Sequence, residues 1–167
     1  MISVLFVCLG NICRSPLAEG ICRHLAKEQG LIGQDHAQDR LVIDSCGTGD
    51  WHIGAPPHIE SQNVAFRHGI SLDGIHARQL LLADFQRFDF IIAMDQQNLM
   101  AIQEIARQQR RLSETDQQIK LLRDFDPNGS GDVPDPYYGG IDDFAETFEI
   151  IYRSTVVLLQ TLQTKIS

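Results

Sequence analysis

Residues 8–15 read Cys-Leu-Gly-Asn-Ile-Cys-Arg-Ser. A cysteine thiolate is a strong nucleophile, and Cys8 opens this run. Arg14, six residues on, carries a planar fork that matches two oxygens of a phosphoryl group. A loop of this length, running from Leu9 and Gly10 through Asn11 and Ile12 to Cys13, can turn successive N–H groups inward as a nest for an anion. The helix that follows adds first-turn N–H groups with no internal partner. The same field favours the Cys8 thiolate over the thiol. Thiolate, oxyanion cradle and arginine within eight residues describe nucleophilic phosphoryl transfer. A bare Cys-x5-Arg arises often by chance. Here its placement between a strand and a helix carries the reading.

A leaving group needs a proton, and Asp135 can supply one. It stands in Val133-Pro134-Asp135-Pro136-Tyr137-Tyr138-Gly139-Gly140, where two prolines stiffen the chain and aim one carboxylate. Tyr137 and Tyr138 can wall a cleft and stack on an aromatic ring. Read alone, the segment is more readily an ordinary turn than a site. The upstream run 126–132 has the oxygen spacing of a calcium loop but lacks the glutamate at its twelfth position, so it is set aside.

The elements that must position these residues alternate. Ser3–Cys8 is a continuous apolar, β-branched run, as expected of a strand buried on both faces. Ser15 reads as the N-cap and Pro16 as the first residue of a helix carrying Leu17, Ile21, Leu25 and Ala26. No carboxylate occupies Pro16, Leu17 or Ala18, so the positive helix end is left for another anion. Leu41–Ser45 is a second strand, and 46–57 is a Gly/Pro loop. Ile59–His68 is a helix closed by Gly69. Phe88–Met94 is a third strand, and Gln96–Arg110 a helix with Leu99, Met100, Ile102, Ile105 and Ala106 on one face. Ile119–Leu122 is a fourth, weaker strand. Asp124–Gly140 is loop. Ile141, Phe144, Phe148, Ile151, Thr155, Leu158, Leu159 and Leu162 mark a long C-terminal helix. Gln103–Gln118 reads as a solvated helix end and loop. The expectation is a single α/β domain over 1–167, with a four-stranded parallel twisted sheet and helices on both faces.

Composition narrows the classes. The 167 residues carry 14 basic and 22 acidic side chains, a formal net charge of −8. That disfavours nucleic acid and anionic membranes as partners. No apolar run approaches the roughly 20 residues of a membrane span, and Ile2–Leu9 lacks the marks of a secretory signal. A cytoplasmic protein is expected. The cysteines stand at 8, 13, 22 and 46, without CxxC spacing or a downstream ligand pair, which argues against zinc and points to thiol chemistry.

Four segments together resemble the low-molecular-weight protein tyrosine phosphatases: VLFVCLGNICRSPLAEG near the start, DSCGTGDWHIG at 44–54, HARQL at 76–80 and DPYYGG at 135–140. The resemblance spans essentially the whole chain. It implies a four-stranded parallel sheet, no metal or other cofactor, and a phosphocysteine intermediate. It makes Cys8 the nucleophile, Arg14 the phosphoryl clamp and Asp135 the general acid. Ser15 would hydrogen-bond the Cys8 sulfur. Asn11, Ser45 and His76 would hold the phosphate loop in shape, and Trp51 would line the cleft opposite Tyr137 and Tyr138. Partners would be phosphotyrosine-containing proteins, with inorganic phosphate as product; the sequence does not give the oligomeric state, and a monomer is the expectation. The chain departs from the family at Cys46-Gly47, where small residues such as Ala or Gly are usual. Ile12 leans it toward phosphotyrosine, since phosphoarginine-selective relatives tend to carry Thr there. Arsenate reduction and phosphoarginine hydrolysis are the alternatives on the same fold. The first is opposed by the lack of any cysteine after Cys46. Cys13 has two readings: a partner that traps oxidised Cys8 as a disulfide, or a small apolar residue packed under the loop.

Overall fold

The computed structural model describes residues 1–33, 39–108 and 118–166. Strand β1 (Ile2–Cys8) leads into α1 (Arg14–Glu28), then β2 (Leu41–Gly47), α2 (Ile59–Arg67), a four-residue α3 (Asp84–Arg87), β3 (Phe90–Ala93), α4 (Gln96–Gln108), β4 (Ile119–Leu121) and α5 (Ile141–Gln163). The strands form one sheet in the order β2-β1-β3-β4, and every pairing is parallel. The expected four-stranded parallel sheet is therefore what the chain builds.

Alternation along β1 explains why both faces are covered. Val4, Phe6 and Cys8 pack with α1 and α5, through Leu17, Ile21, Phe148 and Leu158 among others. Leu5 and Val7 pack on the opposite face with Ile102 and Ala106 of α4 and with Phe85 and Phe88. Both faces of the central strand are thus buried, which is why its sequence runs apolar without a break.

The boundaries differ from the expected ones in instructive places. Strand β2 continues two residues further, because Cys46 and Gly47 pair with Val7 and Cys8 at the site end of the sheet. Strand β3 is shorter than Phe88–Met94, since the α3 turn occupies the chain before it. Helix α1 starts at Arg14 with Cys13 at the cap, so Ser15 is not the N-cap; its side chain is engaged in the site instead. Met100 and Ile141, placed on buried stripes by periodicity, are 61% and 54% exposed. The residues 109–117 of the Gln/Arg-rich stretch lie outside the described residues. No described helix is long and apolar enough to cross a membrane.

The loop that bears Asp135 is tied down at Asp126. Its carboxylate accepts Nε and NH2 of Arg153 at 2.8 and 3.0 Å, Nε of Arg123 at 2.9 Å and the Asn128 N–H at 2.9 Å. Arg123 in turn donates to the carbonyls of Gly129 and Asp132. Arginines fill the oxygens that a calcium loop would offer. The Arg153 bonds, set against burial, hold the Asp126 carboxyl well below the usual carboxylate range. Its stabilising share is thus complete above the unfolded-chain value near 4 and fades as the pH falls from there. Asp126→Asn should lower stability by about 2 kcal/mol at pH 7, with a smaller deficit in acid, read as thermal midpoints across pH. Equal midpoints at pH 7 would show that the clamp contributes nothing.

Candidate active site

In an open parallel sheet, ligands bind beyond the carboxyl ends of the strands where the strand order reverses. Here β1 has β2 on one side and β3 on the other, so that crevice opens between the ends of β1 and β3. Cys8 ends β1 and Asp95 follows β3. The loop from Cys8 to Arg14 has its carbonyls turned outward. Those of Cys8 and Leu9 accept the Thr48 and Gly49 N–H groups, each at 2.9 Å. That of Ile12 accepts the His58 N–H at 2.7 Å, and that of Cys13 accepts the Ser61 hydroxyl at 3.2 Å. With these carbonyls anchored outside, the loop is free to turn N–H groups inward, and the Asn11 N–H lies 3.2 Å from Cys8 Sγ. Asn11 has φ +56°, the one positive value among described non-glycine residues, and supplies the left-handed turn a nest needs.

A buried polar group set fixes that turn. Asn11 Nδ2 donates to Ser15 Oγ at 2.8 Å and to Ser45 Oγ at 3.0 Å. Ser15 Oγ lies 3.0 Å from Cys8 Sγ. The Arg78 backbone N–H donates to Asn11 Oδ1 at 3.0 Å. His76 does not join this set. It is exposed, and its Nδ1 meets the Gly74 carbonyl at 3.1 Å. The 76–80 segment reaches the loop through Arg78, whose guanidinium is locked between Asp44 and Asp84. Sequence reasoning missed Arg78 because the group used is a backbone N–H.

Arg14 is 2% exposed. Its NH1 donates to Asp95 Oδ2 at 2.6 Å and to the Val133 carbonyl at 3.0 Å, and NH2 lies 3.4 Å from Asp135 Oδ2. Burial pulls the guanidinium down, but the charges of Cys8, Asp95 and Asp135 outweigh it and hold the group above its ordinary value. With NH1 held by Asp95 and the Val133 carbonyl, NH2 lies on the cleft side beside Asp135. Asp95 was not foreseen. Its other oxygen accepts the Asn98 N–H at 2.7 Å, so it reads locally as a helix cap and nothing more. Asp135 Oδ1 accepts the Tyr137 N–H at 3.1 Å, which aims the other oxygen at Arg14.

These residues line a cleft of about 430 Å³. Cys8 and Arg14 form its floor with Leu9, Gly10, Ile12 and Cys13; Trp51, His52, Asp135, Tyr137 and Tyr138 form the walls. Tyr137 is braced by His52, by His58 at 5.9 Å between ring centroids and by Tyr138 at 4.8 Å. His52 and His58 had no signal in the sequence beyond their type. Among the described residues no group of three His, Cys, Asp or Glu side chains is placed to hold a metal ion.

A family model described as low molecular weight phosphotyrosine protein phosphatase matches residues 3–167. The chain belongs to this family. It is 46% identical over 163 residues to the Bacillus subtilis low molecular weight protein-tyrosine-phosphatase YfkJ, covering 98% of this chain and 97% of that one. The crystal structure of YfkJ aligns with a TM-score of 0.86 at 44% identity, over 99% of this chain and 96% of that chain. The low molecular weight phosphotyrosine protein phosphatase of Gallus gallus is 38% identical over 158 residues, 95% and 94% of the two chains. The YwlE arginine phosphatase of Bacillus subtilis, 22% identical with a TM-score of 0.82 over 99% of this chain and 100% of that chain, shares the fold.

Within the low molecular weight phosphatase family, Cys46-Gly47 now has a packing account. Cys46 is fully buried among Leu80, Phe85 and Val7. A Cβ at Gly47 would stand 2.7 Å from the Leu9 carbonyl, so the loop after β1 can lie against β2 only over a glycine. Cys22 is buried in the opposite core, and burial pushes its thiol up to about 12.

Proposed function

We propose that this chain hydrolyses phosphotyrosine in proteins through a phosphocysteine intermediate, without a metal or cofactor. The observation that carries the reading is Cys8 with the Asn11 N–H and Ser15 hydroxyl at its sulfur, and Arg14 and Asp135 on the same cleft. Cys8 Sγ attacks phosphorus while the loop N–H groups and the Arg14 fork hold the three equatorial oxygens. The bond to the tyrosine oxygen breaks, and Asp135 gives that oxygen its proton. Asp135 then takes a proton from the water that attacks the phosphocysteine, which releases inorganic phosphate and restores the thiolate. Trp51 and Tyr137 offer aromatic walls to a phenyl ring, and Ile12 keeps that side of the floor apolar. These features support an aryl substrate over phosphoarginine or arsenate. In one preparation, an aryl phosphate should turn over far faster than phosphoarginine, with no arsenate reduction. Equal or faster phosphoarginine hydrolysis would overturn the substrate assignment.

Asp135→Ala should slow substrates with poor leaving groups by roughly 10²–10³-fold and those with good ones much less. A uniform loss across leaving groups would reduce Asp135 to a loop residue.

Cys13 completes the reading as a guard for Cys8. Burial first, then the charges of Cys8 and Asp135, push its thiol up to about 12, which keeps it protonated beside the Cys8 thiolate. Peroxide converts the Cys8 thiolate to a sulfenic acid; Cys13 then displaces its oxygen as water and forms a disulfide that thiols reduce. After peroxide and then a thiol, Cys13→Ser should regain much less activity than wild type, and equal recovery would remove the role. A catalytic free thiol fits a reducing compartment, which supports a cytoplasmic site of action for a monomer. Recovery in an extracellular fraction, or a dimer by light scattering, would count against those two points.

A further inference from the structure

The Trp51 wall of the cleft rests on a glycine. Trp51 lines the cleft with Tyr137 and Tyr138 and is 69% exposed. A side chain that open keeps its rotamer freedom unless something holds it. Tyr137 is braced by His52, His58 and Tyr138, whereas no other ring meets Trp51 among the described residues. Beneath the indole lies the backbone of Gly49, two residues earlier. A Cβ at position 49 would overlap indole Cε3 and Cζ3 and stand 3.0 Å from Cη2. The indole therefore occupies the space that any other side chain would fill. The loop under it is fixed at both ends. The Gly49 N–H donates to the Leu9 carbonyl at 2.9 Å, and Gln79 Nε2 donates to the Thr48 carbonyl at 3.2 Å. Past the indole, the Ala55 N–H donates to the His52 carbonyl at 2.8 Å and the Gly54 N–H to the Ala77 carbonyl at 2.7 Å. Gly49 is not among the glycines with positive φ, so its backbone accepts an alanine and only the indole would have to move.

We propose that Gly49 is a positioning residue for the substrate ring: by lacking a Cβ it seats the Trp51 indole on the loop backbone and so preforms that wall of the cleft. The proposal rests on the phosphotyrosine reading, in which Trp51 meets the phenyl ring. A wall set in advance does not have to be ordered when substrate arrives, so less of the contact energy is lost on binding. With alanine at 49 the amide still reaches the Leu9 carbonyl, and the indole leaves its seat. Cys8 and Arg14 are untouched. The loss therefore falls on recognition of the ring and spares the phosphoryl chemistry. A glycine that served only the loop would, when replaced, disturb stability or phosphate binding and act the same with or without Trp51.

The test compares wild type, Gly49→Ala, Trp51→Ala and the double variant. Trp51 is the chain's one tryptophan, so indole emission reports this wall alone. In Gly49→Ala the emission anisotropy should fall and quenching by acrylamide should rise, as the ring comes free. KM for an aryl phosphate with a good leaving group should rise roughly three- to tenfold, with kcat little changed. Inhibition by inorganic phosphate, which has no ring, should stay as in wild type. Trp51→Ala should raise KM at least as much, and adding Gly49→Ala to it should change nothing further, because both remove one wall. Unchanged anisotropy and KM in Gly49→Ala overturn the proposal. So does an equal rise in KM when Gly49→Ala is added to Trp51→Ala, which would route the effect through the Leu9 carbonyl. Should Gly49→Ala fail to fold, the double variant decides: folding restored by removal of the indole supports the seat, and continued failure overturns it. A wild type that turns over no aryl phosphate would instead remove the phosphotyrosine reading, whereas normal wild-type turnover beside an unmoved Gly49→Ala removes this proposal alone.

Discussion

Cys8→Ser should leave a folded protein that binds phosphate and does not turn over. The expected loss in kcat is on the order of 10⁵-fold or more, as for removal of a nucleophile in other covalent enzymes. A serine hydroxyl is a far weaker nucleophile at neutral pH, and nothing in the site is placed to take its proton in the attack. Asn11 N–H and Ser15 Oγ, which surround Sγ at 3.2 and 3.0 Å, are hydrogen-bonding groups that favour an anionic sulfur and are not bases for an alcohol. Binding should survive, because the cradle is built from backbone N–H groups whose carbonyls are anchored by Thr48, Gly49 and His58. The measurement is kcat on an aryl phosphate together with competitive inhibition by inorganic phosphate in wild type. For the variant, phosphate affinity is read by calorimetry. Residual turnover within a hundredfold of wild type would place the nucleophile elsewhere, as would a phosphoenzyme trapped on any other residue.

Arg14→Lys should cost roughly 10³-fold in kcat/KM while the charge is conserved. A lysine can reach Asp95 or the phosphoryl group, but it has no second edge with which to do both. Arg14 uses NH1 for Asp95 and the Val133 carbonyl, while its NH2 lies at the cleft beside Asp135. The ammonium is also drawn to Asp95, at 2.6 Å the shortest of the arginine's contacts, and away from the substrate. The thermal midpoint should fall only modestly, because Asp95 keeps a cationic partner and is not left as an unpaired carboxylate. Activity within tenfold of wild type would show that a point charge suffices and that the fork has no role.

The resemblance named in the sequence and the family match agree over nearly the whole chain. They differ in reach at the level of single atoms. The fold was legible because its signals are local: a continuous apolar run for β1, helical spacing in α1 and α5, turn residues between them. The loop from Cys8 to Arg14 was legible for the same reason. Cys8, the Gly10-Asn11 turn and Arg14 are neighbours in sequence, and their geometry follows from one strand ending and one helix starting. Ser15 was misread for a physical reason. A serine before a proline and an apolar run is a good N-cap on local grounds. Its hydroxyl is instead held by Asn11 and faces Cys8, and the helix begins one residue before it, at Arg14.

What only the tertiary structure decided are partners distant in sequence or carried by the backbone. Asp95 and Val133 reach Arg14 from 81 and 119 residues away, across the mouth of the sheet. Glu19 reaches Ser45 from another element. Position 78, not 76, steadies Asn11. Every residue but proline has a backbone N–H, so no side-chain type marks which one a turn will deliver to a given oxygen. The chain's local chemistry thus determined the elements and the loop that joins Cys8 to Arg14. The closing of distant loops around them decided which groups bond to Asn11 and Arg14, because hydrogen-bond partners are chosen by position in space and leave no period in the sequence.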